Sequence, residues 1–482
     1  MMDNFSDIQE RLSHLTAEKQ EKLRNLIKQR LAVVDTSPSV ANPSLQRLTN
    51  AQQRLWVLEK FERVKYLYHV PLILELPRNI DQNRLKKSIE ILSKEHSQLV
   101  SYFIEEPGEV MQAYANHFTM PVKDILLLEK LPEDLLAIQA NHPLADFFLQ
   151  PFELDKPPLI RFALAQENSS LYLLICCHHL IMDAWSADLL IHYLCEIYCR
   201  ESLTLALDTK PRPYSEYAKW EIEQLINENY AEVLAYWVQE RENRVWKVDL
   251  PTDFSSPPHL SGKGKQITAT ISKQSLAKLR IFASQQQLSV NHVILSLFQL
   301  LLARYSGQDD IVVGIPVAGR QNRHWQKTIG LFVNTFVHSI KVDYTLTFKQ
   351  QVANTKTQLL KDLANSALPY DDLLKCLYQR QLCPQGTSFN VLYNFLQNEN
   401  MDSFQFMGQG AKILPCLLPL SKFDLSCHVL LTTDELTLIF EYSTDLFHEE
   451  TIKQIQRDFI VYLETFIDNP TETMRKVFWS LN

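Results

Sequence analysis

Leu171–Ser186 reads LYLLICCHHLIMDAWS. Leu171–Cys177 is apolar throughout, the pattern of a strand covered on both faces rather than one with a wet side. The run ends in His178 and His179, a short loop carries Asp183, and Ser186 stands where a helix N-cap belongs. Leu189, Leu190, Tyr193, Leu194 and Ile197 then recur at helical spacing, predicting a helix over Ser186–Arg200. A buried strand feeding a helix is an α/β arrangement, and open α/β sheets put reactive groups at such strand ends.

Three chemistries fit the two histidines. A metal site would use both with Asp183, but neighbouring strand residues point to opposite faces, so His178 and His179 are poorly placed to grip one ion. A hydrogen-bonded pair could simply cap a core strand. In the third, one imidazole faces a channel as a general base, the other packs inward, and Asp183 braces the loop. Imidazole titrates at about 6.5 and an amine nucleophile at about 8, close enough for proton transfer near neutrality. A serine triad lacks its G-x-S-x-G elbow.

Outward from this segment, elements alternate. Strands are predicted at Tyr68–Leu76, Pro158–Leu164, Ile267–Ile271, Asp310–Pro316, Thr335–Val342, Phe389–Leu396 and Leu436–Tyr442. Helices are predicted at Asp81–Glu95, Lys273–Gln286, Val290–Tyr305, Phe348–Ser366 and Glu449–Phe466. Two α/β lobes follow, dividing near residues 222–250. Residues 4–32 read as helical and 34–44, with Pro38 and Pro43, as a linker. The expected organisation is a helical segment and linker over 1–45, which packs on the body or docks another chain, a first lobe over 46–225 and a second over 226–482.

Composition narrows the function. Only 10 glycines occur in 482 residues, and neither G-x-x-x-x-G-K-[ST] nor G-x-G-x-x-G is present, so nucleotide-binding loops have no foothold. A net charge of −8 without a basic stripe argues against nucleic acid. The charged start is no secretory signal, no apolar run spans a bilayer, and the eight cysteines form no C-x-x-C pair. A cytoplasmic protein with no membrane partner is expected.

Further motifs recur in a fixed order: TNAQQRLW at Thr49–Trp56, YSEYAKW at Tyr214–Trp220, LPTD at Leu250–Asp253, GIPVAGR at Gly314–Arg320, IGLFVNT at Ile329–Thr335, LPYDDLL at Leu368–Leu374, FLQN at Phe395–Asn398, KFDL at Lys422–Leu425 and YSTDLF at Tyr442–Phe447. Together with His178-His179-x-x-x-Asp183 they resemble the condensation domains of nonribosomal peptide synthetases, a branch of the chloramphenicol acetyltransferase-like superfamily. The resemblance covers about residues 46–470.

It implies two chloramphenicol acetyltransferase-like lobes forming a V-shaped pseudo-dimer with a central tunnel. There an acyl or aminoacyl thioester on a carrier protein would meet an amine, free or carrier-bound. His179 would be the catalytic histidine, with His178, Asp183, Ala184, Trp185, Arg161 and Asn334 supporting it. No cofactor is bound by the chain itself and no metal is expected; phosphopantetheine comes with the acyl- or peptidyl-carrier partner. Residues 320–330 resemble the channel floor, and the segment from Asn398 to about Leu420 a strap between lobes. Ester formation and an inactive recruitment module are the alternatives. With Met1 at the start and no adenylation or carrier segment after the last helix, a free-standing enzyme is expected.

The chain departs from the family pattern at Glu95 and Val100, where arginines are usual, and at Ala184, where glycine is usual. An arginine normally pairs with the signature aspartate, and Arg161 on the neighbouring strand is expected to supply that charge, since a lone buried carboxylate is costly.

Overall fold

The computed structural model describes residues 45–481 except 62–63, 108, 128–142, 168–169, 202–210, 227–229, 258, 321, 384–387, 398–403 and 415–417. The predicted helices and linker before residue 45 lie outside the described residues.

The first lobe is built on a five-stranded mixed sheet, in the order Lys412–Leu414, His69–Leu76, Ser170–His178, Ile160–Glu167, Val122–Leu126. Ser170–His178 holds the central position, antiparallel to both neighbours, and eight of its nine residues are buried. That is the environment its unbroken apolar run demands. Over the sheet lies Gln82–Glu95, capped by Asp81, whose carboxylate accepts from the N–H groups of Asn83 and Arg84. Leu85, Ile89 and Leu92 turn inward and are fully buried. This helix packs against Ala184–Cys199, the helix that follows the histidines.

The second lobe has a six-stranded sheet, in the order Asn334–Lys341, Asp310–Val317, Val391–Gln397, Leu425–Leu431, Leu436–Ser443, Gly264–Ile271. Its central helix, Val290–Ser306, is buried from Val293 to Ala303. Burial all round explains why this helix reads apolar on every face. Ser289 and His292 form a capping box at its start, and Gly307, at φ 72°, ends it.

Two segments of the second half of the sequence return to the first lobe. Ile329 and Leu331 are buried in the first core. Phe404, Phe406, Ala411, Leu418 and Leu420 join the same core, and Lys412–Leu414 adds an edge strand antiparallel to His69–Leu76. The edge is thereby paired rather than exposed. Several elements are not among those expected, including the helices Asn50–Phe61, Tyr214–Ile226, Ala231–Arg241 and Tyr370–Gln379 and the strand Val122–Leu126. Leu425–Leu431 is a central strand, and a small sheet of Gln46–Arg47, Glu109–Tyr114 and Ser101–Glu106 stands beside the first lobe.

Candidate active site between the lobes

A cavity of about 800 Å³ is lined from both lobes, with Tyr68, His179 and Trp185 on one side and Asn334, Lys422 and Phe423 on the other. His179 lies just beyond the end of the central strand, in a short 3₁₀ turn, and its backbone N–H donates to Tyr68 O at 2.8 Å. Its ring is half-buried, and Nδ1 lies 2.8 Å from Met182 O. A carbonyl can only accept, so Nδ1 carries the hydrogen and Nε2 keeps its lone pair. Burial pushes the imidazole down to about 4; Lys422 adds to the shift, while Asp183 and the Met182 carbonyl oppose it. At neutral pH the ring is therefore uncharged, with its Nε2 lone pair free. It is a weaker base than the ordinary imidazole expected from the sequence, which suits it to orienting the amine proton more than to holding it.

His178 points the other way. Its Nδ1 accepts the Leu180 N–H at 3.2 Å, its Nε2 lies 3.7 Å from Glu59 Oε2, and it is buried against Phe152 and His69. The two histidines diverge because His178 ends the strand while His179 begins the turn that follows it.

Asp183 is the N-cap of Ala184–Cys199, a position expected for Ser186. Its Oδ1 accepts the Ser186 N–H at 2.8 Å, which places Ser186 in the first turn. A carboxylate accepts from the helix N–H groups as a hydroxyl would, and its charge also faces the positive end of the helix dipole. Asp183 also accepts the Phe332 N–H at 2.9 Å and faces Arg320 Nη2 at 3.2 Å. Ser186 Oγ links Arg320 and Gly330. The loop of the first lobe is thus joined to the floor loop through a buried ion pair whose hydrogen bonds are shared.

Arg320, and not Arg161, is the partner of Asp183. Arg161 pairs in register with Cys176, on the face of the sheet that His178 occupies, away from the Asp183 loop. Its guanidinium donates to the carbonyls of Gln150 and Pro151 and lies 3.8 Å from the Phe152 ring centre. Sequence proximity suggested Arg161; Arg320 reaches the aspartate through tertiary contact. The signal was present in the arginine of the GIPVAGR motif, which had been given no charge to balance.

The remaining positions are accounted for. Asn334 spends its amide on the chain, donating to Ser366 O and Leu368 O and accepting the Tyr370 N–H. Trp185 is 46% exposed, lines the cavity, and is anchored by an indole N–H donated to Gln326 O. Ala184 is exposed at the start of its helix. Glu95 forms a two-point ion pair with Arg200, at 3.0 and 3.1 Å, and Val100 is buried, so the two arginine replacements leave no uncompensated charge. Two glycines of the floor are obligatory. Gly319 has φ 64° and a Cβ there would lie 2.0 Å from Phe332 O; at Gly330 a Cβ would meet the Tyr214 ring, also at 2.0 Å.

Sequence reasoning missed three lining or supporting groups. Lys422 lines the cavity and lies 4.7 Å from the Tyr68 ring centre. Glu59 stands behind His178. An aromatic cluster of Tyr214, Tyr217, Trp325 and Phe332 buttresses the floor. Among the described residues no single helix is long and apolar enough to cross a membrane.

A family profile described as Condensation domain matches residues 44–480. Surfactin synthase subunit 2 of Bacillus subtilis is 30% identical over 429 residues, covering 89% of this chain and 12% of that protein. Bacitracin synthase 1 of Bacillus licheniformis is 27% identical over 434 residues, 89% of this chain and 8% of that one. The chain thus spans about one-tenth of the length of these relatives. Among solved structures, the X-domain from teicoplanin biosynthesis superposes with a TM-score of 0.78 at 19% identity, covering 90% of this chain and 98% of that one. The first condensation domain of the CDA synthetase gives 0.76 at 20%, again over 90% and 98%.

Proposed function

The chain belongs to the condensation-domain family, and from that premise we propose that it forms an amide between a carrier-bound acyl or aminoacyl thioester and an amine, with His179 at the reaction centre. One observation carries the assignment. His179 lines the inter-lobe cavity with Nδ1–H tied to Met182 O, which leaves Nε2 as an acceptor beside the space where two substrates would meet.

The amine nitrogen attacks the thioester carbonyl carbon, and His179 Nε2 accepts or orients the proton that the nitrogen must lose. Collapse of the tetrahedral adduct breaks the C–S bond and returns a proton to the departing thiolate. Most of the rate gain comes from holding the two reactants together, worth several kcal/mol when the geometry is right. Backbone N–H groups at the start of Ala184–Cys199 and the Lys422 ammonium are the groups near the site suited to developing negative charge.

The thioester arrives on a phosphopantetheine arm, so the partners are an acyl- or peptidyl-carrier protein and an amine acceptor, free or carrier-bound. A cytoplasmic setting suits the seven described cysteines, all free thiols. Catalysis is favoured over a recruitment role because the site is assembled: Asp183 has its arginine and Glu95 has Arg200.

Intact-mass measurement of product from acyl-loaded carrier protein and a panel of amines and alcohols tests the assignment, with His179→Ala alongside. Amide formed by the wild type and lost in the variant is expected. Ester product alone would redirect the reaction to hydroxyl acceptors, and carrier binding without any product would sink the catalytic reading.

A further inference from the structure

Behind the catalytic strand end is a buried carboxyl that the mechanism above does not use. Glu59 lies on Asn50–Phe61 and is 6% exposed. Its Oε2 is 3.7 Å from His178 Nε2, and neither atom has a hydrogen-bond partner among the described residues. Because His178 Nδ1 accepts the Leu180 N–H, Nε2 must carry the hydrogen of the neutral ring. A buried donor and a buried acceptor therefore face each other just beyond hydrogen-bond length. Leaving both unmade is costly, and a small closure would satisfy both.

We propose that Glu59 is a positioning residue of the condensation reaction. By accepting from His178 Nε2–H it fixes that ring's tautomer, which holds Leu180 N–H on Nδ1 and with it the short turn that aims His179 into the cavity. The inference rests on the condensation reading for its effect on rate, but its structural half does not depend on turnover.

The groups facing the pair set its charge. His178 comes from the central strand and His69 from the adjacent one, with ring centres 6.2 Å apart. Lys65 follows the Glu59 helix and donates to Glu59 O at 2.7 Å, and Lys422 approaches from the second lobe. Burial raises the Glu59 carboxyl to about 7, with both lysines opposing the shift, while burial, with Lys422 adding to it, lowers His178 to about 3. His178 thus stays neutral, and Glu59 becomes a stronger acceptor as pH rises through about 7. His179, at about 4, does not titrate in that range. A rate limb near neutrality would come from Glu59.

The first measurement needs no substrate: ¹⁵N NMR of histidine-labelled protein near neutral pH. His178 is expected as the Nε2–H tautomer in the wild type, shifting toward a mixture in Glu59→Ala. An unchanged His178 signal in that variant overturns the proposal, even if wild-type turnover is never found and the condensation reading itself fails.

With loaded carrier and an accepted amine, Glu59→Ala is expected to lower kcat on the order of tenfold, the low end of the effect of removing a carboxylate that orients a metal-bound histidine, because Glu59 acts on His179 only through His178. KM for the carrier should stay within about twofold. Glu59→Gln, which keeps an acceptor oxygen at the same length, should recover much of the rate and lose the limb near neutrality. It also serves if the alanine variant fails to fold. Wild-type kcat in Glu59→Ala, or a limb that persists in Glu59→Gln, overturns the role.

Discussion

Each lobe buries a histidine against a carboxyl, and the two pairs are built differently. In the second lobe His338 Nδ1 sits 2.6 Å from Asp362 Oδ2, and Asp362 Oδ1 accepts from Tyr236 and Gln358 at 2.5 and 3.0 Å. That carboxylate is saturated, and neither member lines the cavity. In the first lobe the His178–Glu59 pair stands open at 3.7 Å, directly behind His179. Burial is nearly the same in both places. His338 Nε2 also lacks a hydrogen-bond partner among the described residues, so what separates the pairs is the contact itself, made at 2.6 Å in one and open at 3.7 Å beside the reacting space in the other. The closed pair reads as a buttress and the open one as part of the machinery.

The largest contrast between the lobes should appear in acid. His69, His96, His178 and His179, all in the first lobe, are held at about 3 to 4 by burial, whereas among the described residues of the second lobe only His428 is brought that low, also to about 4. A histidine lowered on folding contributes stability that is fully present above its unfolded value of about 6.5 and is lost as pH falls toward the folded value. At pH ~5 each such group forfeits up to about 2 kcal/mol. Glu59, raised on folding, works in the opposite direction between about 7 and 4.5 and offsets part of this loss. Hydrogen exchange should therefore show Ser170–His178 losing protection at a higher pH than Asp310–Val317. Simultaneous loss in both strands would mean that the lobes unfold as one unit.

Substitution of the histidines should separate chemistry from scaffold. His179→Ala is expected to cut kcat by about 10²–10⁴ while thermal stability stays near wild type. Asp362→Ala should do the reverse, removing roughly 3–5 kcal/mol of stability because His338 and Tyr236 lose their buried acceptor, with the rate per folded molecule unchanged. Combined denaturant titration and single-turnover rates decide this. A rate lost with Asp362 would show that the second-lobe pair is coupled to the site.

Much of this division was legible in the sequence, and the illegible part has a physical cause. The apolar run Leu171–Cys177, the histidine pair and the helix after Asp183 follow from local periodicity, so strand, turn and helix could be read directly. The arginine of the GIPVAGR motif was visible, but its pairing with Asp183 was not, because Arg320 lies 137 residues away and only the fold brings it there. Glu59 was hidden for the opposite reason. On a helix with Arg54 and Lys60, a glutamate looks like ordinary surface charge, and nothing local reports that its face is sealed by the central strand. Leu425–Leu431 escaped notice because Ser426 and His428 interrupt its apolar pattern, although both neighbouring strands cover it.

Ala184 offers the smallest effect and the finest test. It begins the helix capped by Asp183 and precedes Trp185, whose exposed indole lines the cavity, so its methyl acts on the donor only through the placing of Trp185, and not on the proton-handling groups. Ala184→Gly should cost at most about 1 kcal/mol of stability, the propensity difference in a helix. Acting through Trp185, the substitution should leave rates with small acyl donors within about twofold and raise those with donors branched next to the thioester by up to severalfold. Competition between a straight and a branched donor on the same carrier reads the ratio directly. A uniform fall for both would instead place Ala184 with Asp183 in holding the helix start, and would enlarge the part of the first lobe that works as machinery.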